Sequence, residues 1–399
     1  MKSTHNMITL QLKKKKEESL KRFHPWIFSG AIARMEREPE EGEVVRVITD
    51  SGEYICHGHY QIGSIAVRVL SFDESEVIDQ QFWENRLRIA YQMRVAIGVA
   101  ECPNNTTYRL VHGEGDNLPG LVVDIYGKTA VMQAHSAGMH MHRQDIANAI
   151  VKVSNNNILH VYYKSETTLP FKADLGAENC FLVGGSDENI AIENGLKFHV
   201  DWLKGQKTGF FVDQRDNRSL LERYSNNRSV LNMFCYTGGF SFYAMRSNAK
   251  LVHSVDSSAK AIDLTRANVE LNFPGDKRHQ AYAEDAFKYL DRMGDQYDLI
   301  ILDPPAFAKH RGALRNALIG YRKLNAKAFE KIQPGGILFT FSCSQVVSKE
   351  QFRTAVFSAA AISGRKVRIL HQLTQPADHP INIYHPEGEY LKGLVLYVE

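Results

Sequence analysis

A chain of 399 residues, 44% hydrophobic and 23% charged, is long for one core and has the composition of a folded protein, neither disordered nor fibrous. Its apolar runs are strand-sized, well short of the roughly 20 residues that span a bilayer, so no membrane segment is predicted. A net charge of +3 permits a nucleic-acid partner without demanding one, and five scattered cysteines outside any Cys-x-x-Cys pair fit free thiols in a reducing cytoplasm.

Residues Met1 to Glu18 contain the tetra-lysine Lys13–Lys16 but no apolar stretch of signal-peptide type. Lys13, Lys14 and Lys15, with Lys21 and Arg22, form a basic patch. One short helix is expected between Lys13 and Ile32. Val44–Ile48, Tyr54–Tyr60 and Ile65–Leu70 are β-branched runs separated by Gly, Asp and Ser, and read as strands of a small β-barrel-like domain over residues 1–75. Asp73–Asp79 reads as a linker. Residues 80–99 have helical apolar spacing, and strands follow at Tyr108–Val111, Gly120–Tyr126, Thr129–Gln133 and Ile158–Tyr163, with a helix over Met141–Val153. This predicts a central α+β domain over 76–190.

From residue 191 to 399 a hairpin is expected between Leu196–Val200 and Thr208–Val212. Strands and helices then alternate: strands at Val230–Phe234, Leu251–Val255, Arg278–Tyr282, Leu299–Leu302 and Ile337–Phe341, each followed by a helix, and two closing strands at Val367–Gln372 and Gly393–Val398. The alternation predicts a Rossmann-like parallel sheet with helices on both faces, making the whole chain a multidomain α/β protein.

Chemistry-bearing residues gather at successive strand ends of that sheet. The first strand runs into Phe234-Cys-Tyr236-Thr237-Gly238-Gly239, a glycine turn that lets backbone approach a ligand and aims helix N–H groups at it. The second ends at Asp256-Ser257, where a carboxylate can bind ribose hydroxyls, and the third at Asp285-Ala286, where an acid can take an adenine amino group. Dinucleotide and S-adenosylmethionine enzymes share this layout. The reaction is therefore read from the next two strands, which end at Asp303-Pro304-Pro305-Ala306-Phe307 and Ser342-Cys343-Ser344.

Two prolines stiffen the presentation of Asp303. A cysteine at a strand end between two serines suits exposure more than core packing. A thiol is what methylation of pyrimidine carbon 5 requires: that carbon is a poor nucleophile until a thiolate adds to carbon 6. Lys309, Arg311, Arg315 and Arg322 crowd the segment after Asp303 and extend the basic character to the candidate site. Cys56-His57-Gly-His59 and the trio His135, His140 and His142 lack a full ligand set, so no metal is predicted. Cys235 reads as a packing residue.

Together, His24-Pro-Trp26-Ile-Phe28, Arg109 to Gly120, Lys207-Thr208-Gly-Phe-Phe-Val-Asp-Gln214-Arg-Asp216, Asn232 to Phe240, Asp303-Pro-Pro, Phe341-Ser-Cys-Ser344, Ala377-Asp-His-Pro380 and Pro386 to Gly393 resemble the ribosomal RNA large subunit methyltransferase I family. The resemblance implies an N-terminal PUA domain, a central α+β domain and a C-terminal methyltransferase domain that uses S-adenosylmethionine on cytosine carbon 5 of 23S ribosomal RNA. It implies cofactor contacts from Lys207, Thr208, Gln214, the Phe234–Gly239 turn, Asp256 and Asp285. It also implies an RNA-holding N-terminal surface that includes His24 and Trp26, and a cytoplasmic location; a homodimer is compatible with it. One departure stands out: Ala306 follows the prolines where the family pattern has a lysine, and Lys309 comes three residues later. Two other readings remain open on the residues: methylation of a purine exocyclic amine, and a non-catalytic RNA-binding assembly factor.

Overall fold

The computed structural model describes residues 7–170 and 175–399, so the first six residues of the basic N-terminal stretch lie outside the described residues. The chain divides into two compact units. One comprises residues Met1–Asn194, Val200–Val212 and Ala377–Gly388; the other comprises Gly195–His199, Asp213–Pro376 and Glu389–Glu399.

The first unit opens with a six-stranded sheet of β1 (Thr9–Leu12), β2 (Trp26–Phe28), β3 (Ile32–Met35), β4 (Val44–Ile48), β5 (Tyr54–Tyr60) and β6 (Ile65–Ser71), in the order β2-β6-β5-β4-β1-β3. Alternation puts Leu10, Leu12, Val45, Val47, Val67 and Val69 on the inner face, all buried. The helix expected between Lys13 and Ile32 is replaced by two 3-10 turns, Leu20–Arg22 and Ser29–Ala31, on either side of β2. Pro25 has no amide hydrogen to continue a helix, and the Trp26-Ile-Phe run after it prefers the pleated state.

Next come α1 (Gln80–Ala96), β7 (Thr107–His112), β8 (Leu121–Tyr126), β9 (Thr129–Ala134), α2 (Ala137–Met141), α3 (Arg143–Val153), β10 (His160–Tyr163) and β11 (Cys180–Val183), whose strands form one sheet in the order β11-β10-β9-β8-β7. Asp79 starts α1 by accepting from the Phe82 amide at 3.0 Å. The segment Ala377–Gly388 returns to this unit. The fully buried Arg94, paired with Asp116, donates to the Asp378 carbonyl at 2.7 Å, and the Asp378 carboxylate accepts from the Arg109 amide at 2.9 Å.

Strand β12 (Ile190–Glu193) closes the main stretch of the first unit and β13 (Leu196–His199) opens the second. The expected partner strand Thr208–Val212 is absent. Gly209 sits at φ +120°, where a Cβ would meet the Asp201 carbonyl oxygen at 3.0 Å, so the backbone turns there instead of extending. Val212–Gln214 forms a 3-10 turn that leads into α4 (Arg215–Ser225).

The second unit is built on β14 (Ser229–Met233), α5 (Gly239–Arg246), β15 (Leu251–Asp256), α6 (Ala259–Asn272), β16 (His279–Ala283), α7 (Ala286–Arg292), β17 (Leu299–Leu302), α8 (Leu314–Lys331), β18 (Gly336–Ser342), α9 (Lys349–Ser363), β19 (Val367–Thr374) and β20 (Lys392–Val398). The sheet order is β16-β15-β14-β17-β18-β20-β19, parallel except for β20, which runs antiparallel to both of its neighbours. Strand β17 is an uninterrupted apolar run buried on both faces, as a covered parallel strand must be, and β14 is buried from Val230 to Met233 with Asn232 as its one buried polar residue. The order reverses between β15 and β17 on either side of β14, and ligands bind open α/β sheets beyond the carboxyl ends of strands at such a point. Among the described residues no helix is long and apolar enough to cross a membrane.

Candidate active site

Strands β17 and β18 pair in parallel, with Leu302 opposite Thr340, so Asp303 and Cys343 leave the same edge of the sheet. The Cys343 Sγ lies 4.0 Å from the Pro304 carbonyl oxygen, and neither Asp303 nor Cys343 is fully covered. The loops are cross-tied. Ser344 donates to the Ala308 carbonyl at 2.5 Å, and Ser342 donates at 2.9 Å to the Tyr321 hydroxyl on α8. Phe307 packs its ring on Tyr321 with centroids 4.6 Å apart, so it is a wedge under the loop and not a free platform.

Burial pushes the Asp303 carboxyl up to about 7, and the neighbouring Asp213 carboxylate adds to the rise. A hydrogen bond from Gln214 and the charge of Arg218 act in the opposite sense. Asp213 is held in turn: one oxygen accepts from the Tyr390 hydroxyl at 2.7 Å, while the other is buried without a hydrogen-bond partner. Gln214 is fixed by Asn217, which donates to its side-chain oxygen at 2.7 Å. Near Cys343, the buried ammonium of Lys392 donates to the carbonyls of Ser344 and Val347, each at 2.5 Å. Burial lowers the Lys392 ammonium to about 8, against an opposing pull from Cys343. Burial also raises the Tyr321 phenol to about 12.

The glycine turn follows β14. Phe234, Tyr236 and Gly238 all have left-handed φ (58°, 48° and 87°), which winds the backbone tightly above the strand. A Cβ on Gly238 would stand 2.6 Å from Phe242 and 2.7 Å from Thr265, so only glycine fits. Asp256 accepts from the amides of Tyr236 and Ser258, each at 2.9 Å, which anchors the turn to the end of β15. Its carboxylate stays partly exposed and keeps lone pairs for further donors. Asp285 is exposed and caps α7 by accepting from the Lys288 amide at 3.0 Å. Ser257 is exposed; Thr237 and Gly239 are buried, and Ala286 belongs to the apolar core. Cys235 is a buried packing residue whose thiol burial pushes upward.

The structure thus brings Gln214, Asp303 and Cys343 to one sheet edge, with the turn residues, Asp256 and Asp285 at the ends of the adjoining strands. Lys207 and Thr208 fold with the first unit. Thr208 donates to Asp124 at 2.6 Å and shares a hydrogen bond with the Tyr126 hydroxyl at 2.8 Å, while Lys207 is exposed. Lys13, Lys14, Lys15, Lys21 and Arg22 are all exposed; Lys13 donates to the Gly30 carbonyl and Lys21 pairs with Glu17. His24 and Trp26 are half-buried, and the Trp26 indole donates to Glu114 at 2.8 Å. Lys309, Arg311 and Arg315 are exposed and Arg322 is half-buried; none of the four has an ion-pair partner among the described residues. Asp213, Arg218, Tyr321 and Lys392 were not singled out from sequence. Of the histidines set aside as ligands, His57 bonds the Tyr54 hydroxyl, His140 bonds the Tyr163 hydroxyl, and His59 stacks against Trp83 and His142 with neither ring nitrogen hydrogen-bonded.

Residues 10–72 match the PUA-like domain, and residues 169–381 match the S-adenosylmethionine-dependent methyltransferase model. The chain is 41% identical over 396 residues to the ribosomal RNA large subunit methyltransferase I of Tolumonas auensis, covering 97% of this chain and 98% of that protein. The enzyme of the same name from Aeromonas hydrophila is 40% identical over the same shares of both chains. The chain belongs to the ribosomal RNA large subunit methyltransferase I family. Its fold is shared with a solved putative methyltransferase complexed with SAH, at 24% identity, with a TM-score of 0.84 and coverage of 98% of this chain and 100% of that one. As a member of this family, the chain carries an N-terminal PUA-like domain and a Rossmann-like domain that depends on S-adenosylmethionine.

The residues present suit that cofactor. The Gly238 position excludes any side chain; Asp256 ends β15 opposite Ala283, the last residue of β16, and Asp285 follows two residues later, both with acceptor chemistry for ribose hydroxyls or an adenine amine.

Proposed function

We propose that this chain methylates carbon 5 of a cytosine in 23S ribosomal RNA, in the cytoplasm, through a covalent adduct of Cys343 at carbon 6. The observation that carries this reading is the shared exit of Asp303 and Cys343 from adjacent parallel strands, with Cys343 Sγ 4.0 Å from the Pro304 carbonyl. A flat base seated there meets a carboxyl and a thiol at once.

In this reading the Cys343 thiolate forms a bond to carbon 6, and the electron pair displaced from the 5,6 double bond collects at carbon 5. Asp303, whose raised pKa of about 7 leaves a protonated fraction near neutrality, donates to N3 and offsets charge that develops there. The Lys392 ammonium favours the thiolate over the thiol and holds the Ser344–Val347 loop that follows it. When bound, S-adenosylmethionine would supply an electrophilic methyl group to carbon 5, the broken S–CH3 bond leaving its electron pair on the sulfur of the departing S-adenosylhomocysteine. A base then removes the carbon 5 proton; the electron pair returns to the double bond and expels the Cys343 thiolate.

Gln214, the Phe234–Gly239 turn, Asp256, Ser257 and Asp285 are proposed to bind the cofactor. The proposed division of labour assigns residues 1–75 to gripping RNA, 76–190 to a central scaffold and 191–399 to catalysis. Exposed Lys13, Lys14, Lys15, Lys21 and Arg22, with Lys309, Arg311, Arg315 and Arg322, supply phosphate contacts.

The test is RNA carrying 5-fluorocytosine, whose fluorine blocks the final elimination. The chain should form a denaturation-resistant complex with it, and digestion of ordinary product RNA should release 5-methylcytidine. A product methylated on a purine amine, or trapping that persists in Cys343→Ala, would overturn the reading.

A further inference from the structure

In the first unit, His24 converges with His385 and Glu387 from more than 300 residues further along the chain, with one ligand atom from each within 4.8 Å of the others. His24 follows a left-handed Phe23 (φ 62°) that ends a 3-10 turn, and its Nδ1 accepts from the Trp26 amide at 3.2 Å. That contact orients the ring and leaves Nε2 facing the Glu387 carboxylate at 3.7 Å. The His385 Nε2 stands 3.8 Å from the other oxygen of the same carboxylate.

His385 is the telling member. Its ring is 2% exposed, yet neither Nδ1 nor Nε2 has a hydrogen-bond partner. It packs edge-on against Trp26 with centroids 4.3 Å apart and lies 5.5 Å from the His24 ring. A buried imidazole normally satisfies at least one nitrogen, so this one is short of a partner. The segment that carries it is tightly held. The His385 amide donates to the Asn382 carbonyl at 2.8 Å, and the Asn382 side chain donates to the Glu114 carbonyl and to Asn117. The charged groups facing His385 are His24, Glu387 and Glu114; burial favours its neutral form, which is the one that ligates.

We propose that His24, His385 and Glu387 form a binding site for a zinc-like divalent cation. Bonds of about 2.0–2.2 Å in a tetrahedral shell put ligand atoms roughly 3.3–3.6 Å apart; the two histidine–carboxylate distances of 3.7 and 3.8 Å are within a few tenths of an ångström of this, and all three ligand atoms already lie within 4.8 Å of one another. Two imidazoles and one carboxylate select zinc, cobalt or nickel over magnesium or calcium, which prefer all-oxygen shells. The exposed side of Glu387 leaves a fourth position for water. The cation would staple the returning segment Ala377–Gly388 to the His24–Trp26 corner of the barrel. The metal-like clusters weighed from sequence lie elsewhere, and neither of them forms this constellation.

The test uses the full-length, untagged chain, stripped with a chelator and titrated with Zn²⁺ against a chromophoric competitor, and separately with Co²⁺ in the visible range. One equivalent should bind, with a tetrahedral Co²⁺ spectrum. His385→Gln and Glu387→Gln should each weaken binding about tenfold or more, since even outer-sphere partners of ligands are worth 10–100-fold. Glu387 is exposed, so its variant tests the site without disturbing the core. Binding well below one equivalent, or binding by both variants as tight as the parent's, would overturn the proposal.

Discussion

Replacing Asp303 with asparagine should stabilise the protein while stopping its chemistry. The folded carboxyl titrates at about 7 against an ordinary value of 3.8, because burial and Asp213 oppose its ionisation. A raised folded pKa means the native state holds its proton more tightly than the unfolded chain. The penalty for ionisation is therefore absent below pH 3.8, grows through the window from 3.8 to about 7, and is complete above it. At 1.36 kcal/mol per unit, the ceiling is about 4 kcal/mol at pH 8 and roughly 1.5 kcal/mol at pH 5. Asparagine keeps the size, can still accept from Gln214 and carries no charge beside Asp213. Urea unfolding of both proteins at the two pH values, followed by circular dichroism without cofactor, measures the difference. A variant no more stable than the parent at pH 8, or a gain identical at pH 5 and pH 8, would refute the account of Asp303 as a carboxylate held against its charge.

Three further outcomes are expected. Cys343→Ala should lower methylation about 1000-fold or more and abolish trapping by 5-fluorocytosine RNA, with cofactor affinity by calorimetry unchanged. Lys392→Met should slow iodoacetamide alkylation of Cys343, followed peptide by peptide in a mass spectrometer, by about 3- to 10-fold at neutral pH, and an unchanged rate would remove Lys392 from the thiol's activation. Changing Lys13, Lys14 and Lys15 together to alanine should weaken RNA binding across sequences and flatten the plot of log affinity against log salt by about two to three charges; a steady slope would take these lysines off the RNA path.

Much of the methyltransferase sheet was legible in the sequence because its strands are short, rich in apolar residues and separated by helical segments. Leu299–Leu302 is the plainest case. The residues at strand ends were legible for the same reason, since reactive side chains stand out where an apolar run stops. Helix α4 was missed because Arg215–Ser225 has few apolar residues, and much of what it buries is polar: Arg215, Asn217 and Arg218. The expected Thr208–Val212 strand holds the apolar run Phe210-Phe-Val212, but Gly209 at positive φ breaks it, and local pattern does not report which glycines use that freedom. Asp213, Arg218 and Lys392 act through partners distant along the chain, so no window of sequence shows that they flank Asp303 and Cys343. His385 was silent for the same reason.

The placing of β20 has a consequence for how the sheet is made. It is the last strand in sequence order, yet it lies between β18 and β19 and supplies the hydrogen bonds of both. Until it arrives, β18 has one bare edge and β19 has no partner in the sheet, so two strands built earlier wait on one built later. During synthesis this unit would pass through a stage with an open, strongly apolar edge next to the very strand that ends in Cys343. Chaperone binding at that stage, or stalling of the chain just short of β20, would decide how much of the protein matures, and the Cys343 thiol would be set in place only when the sheet is whole.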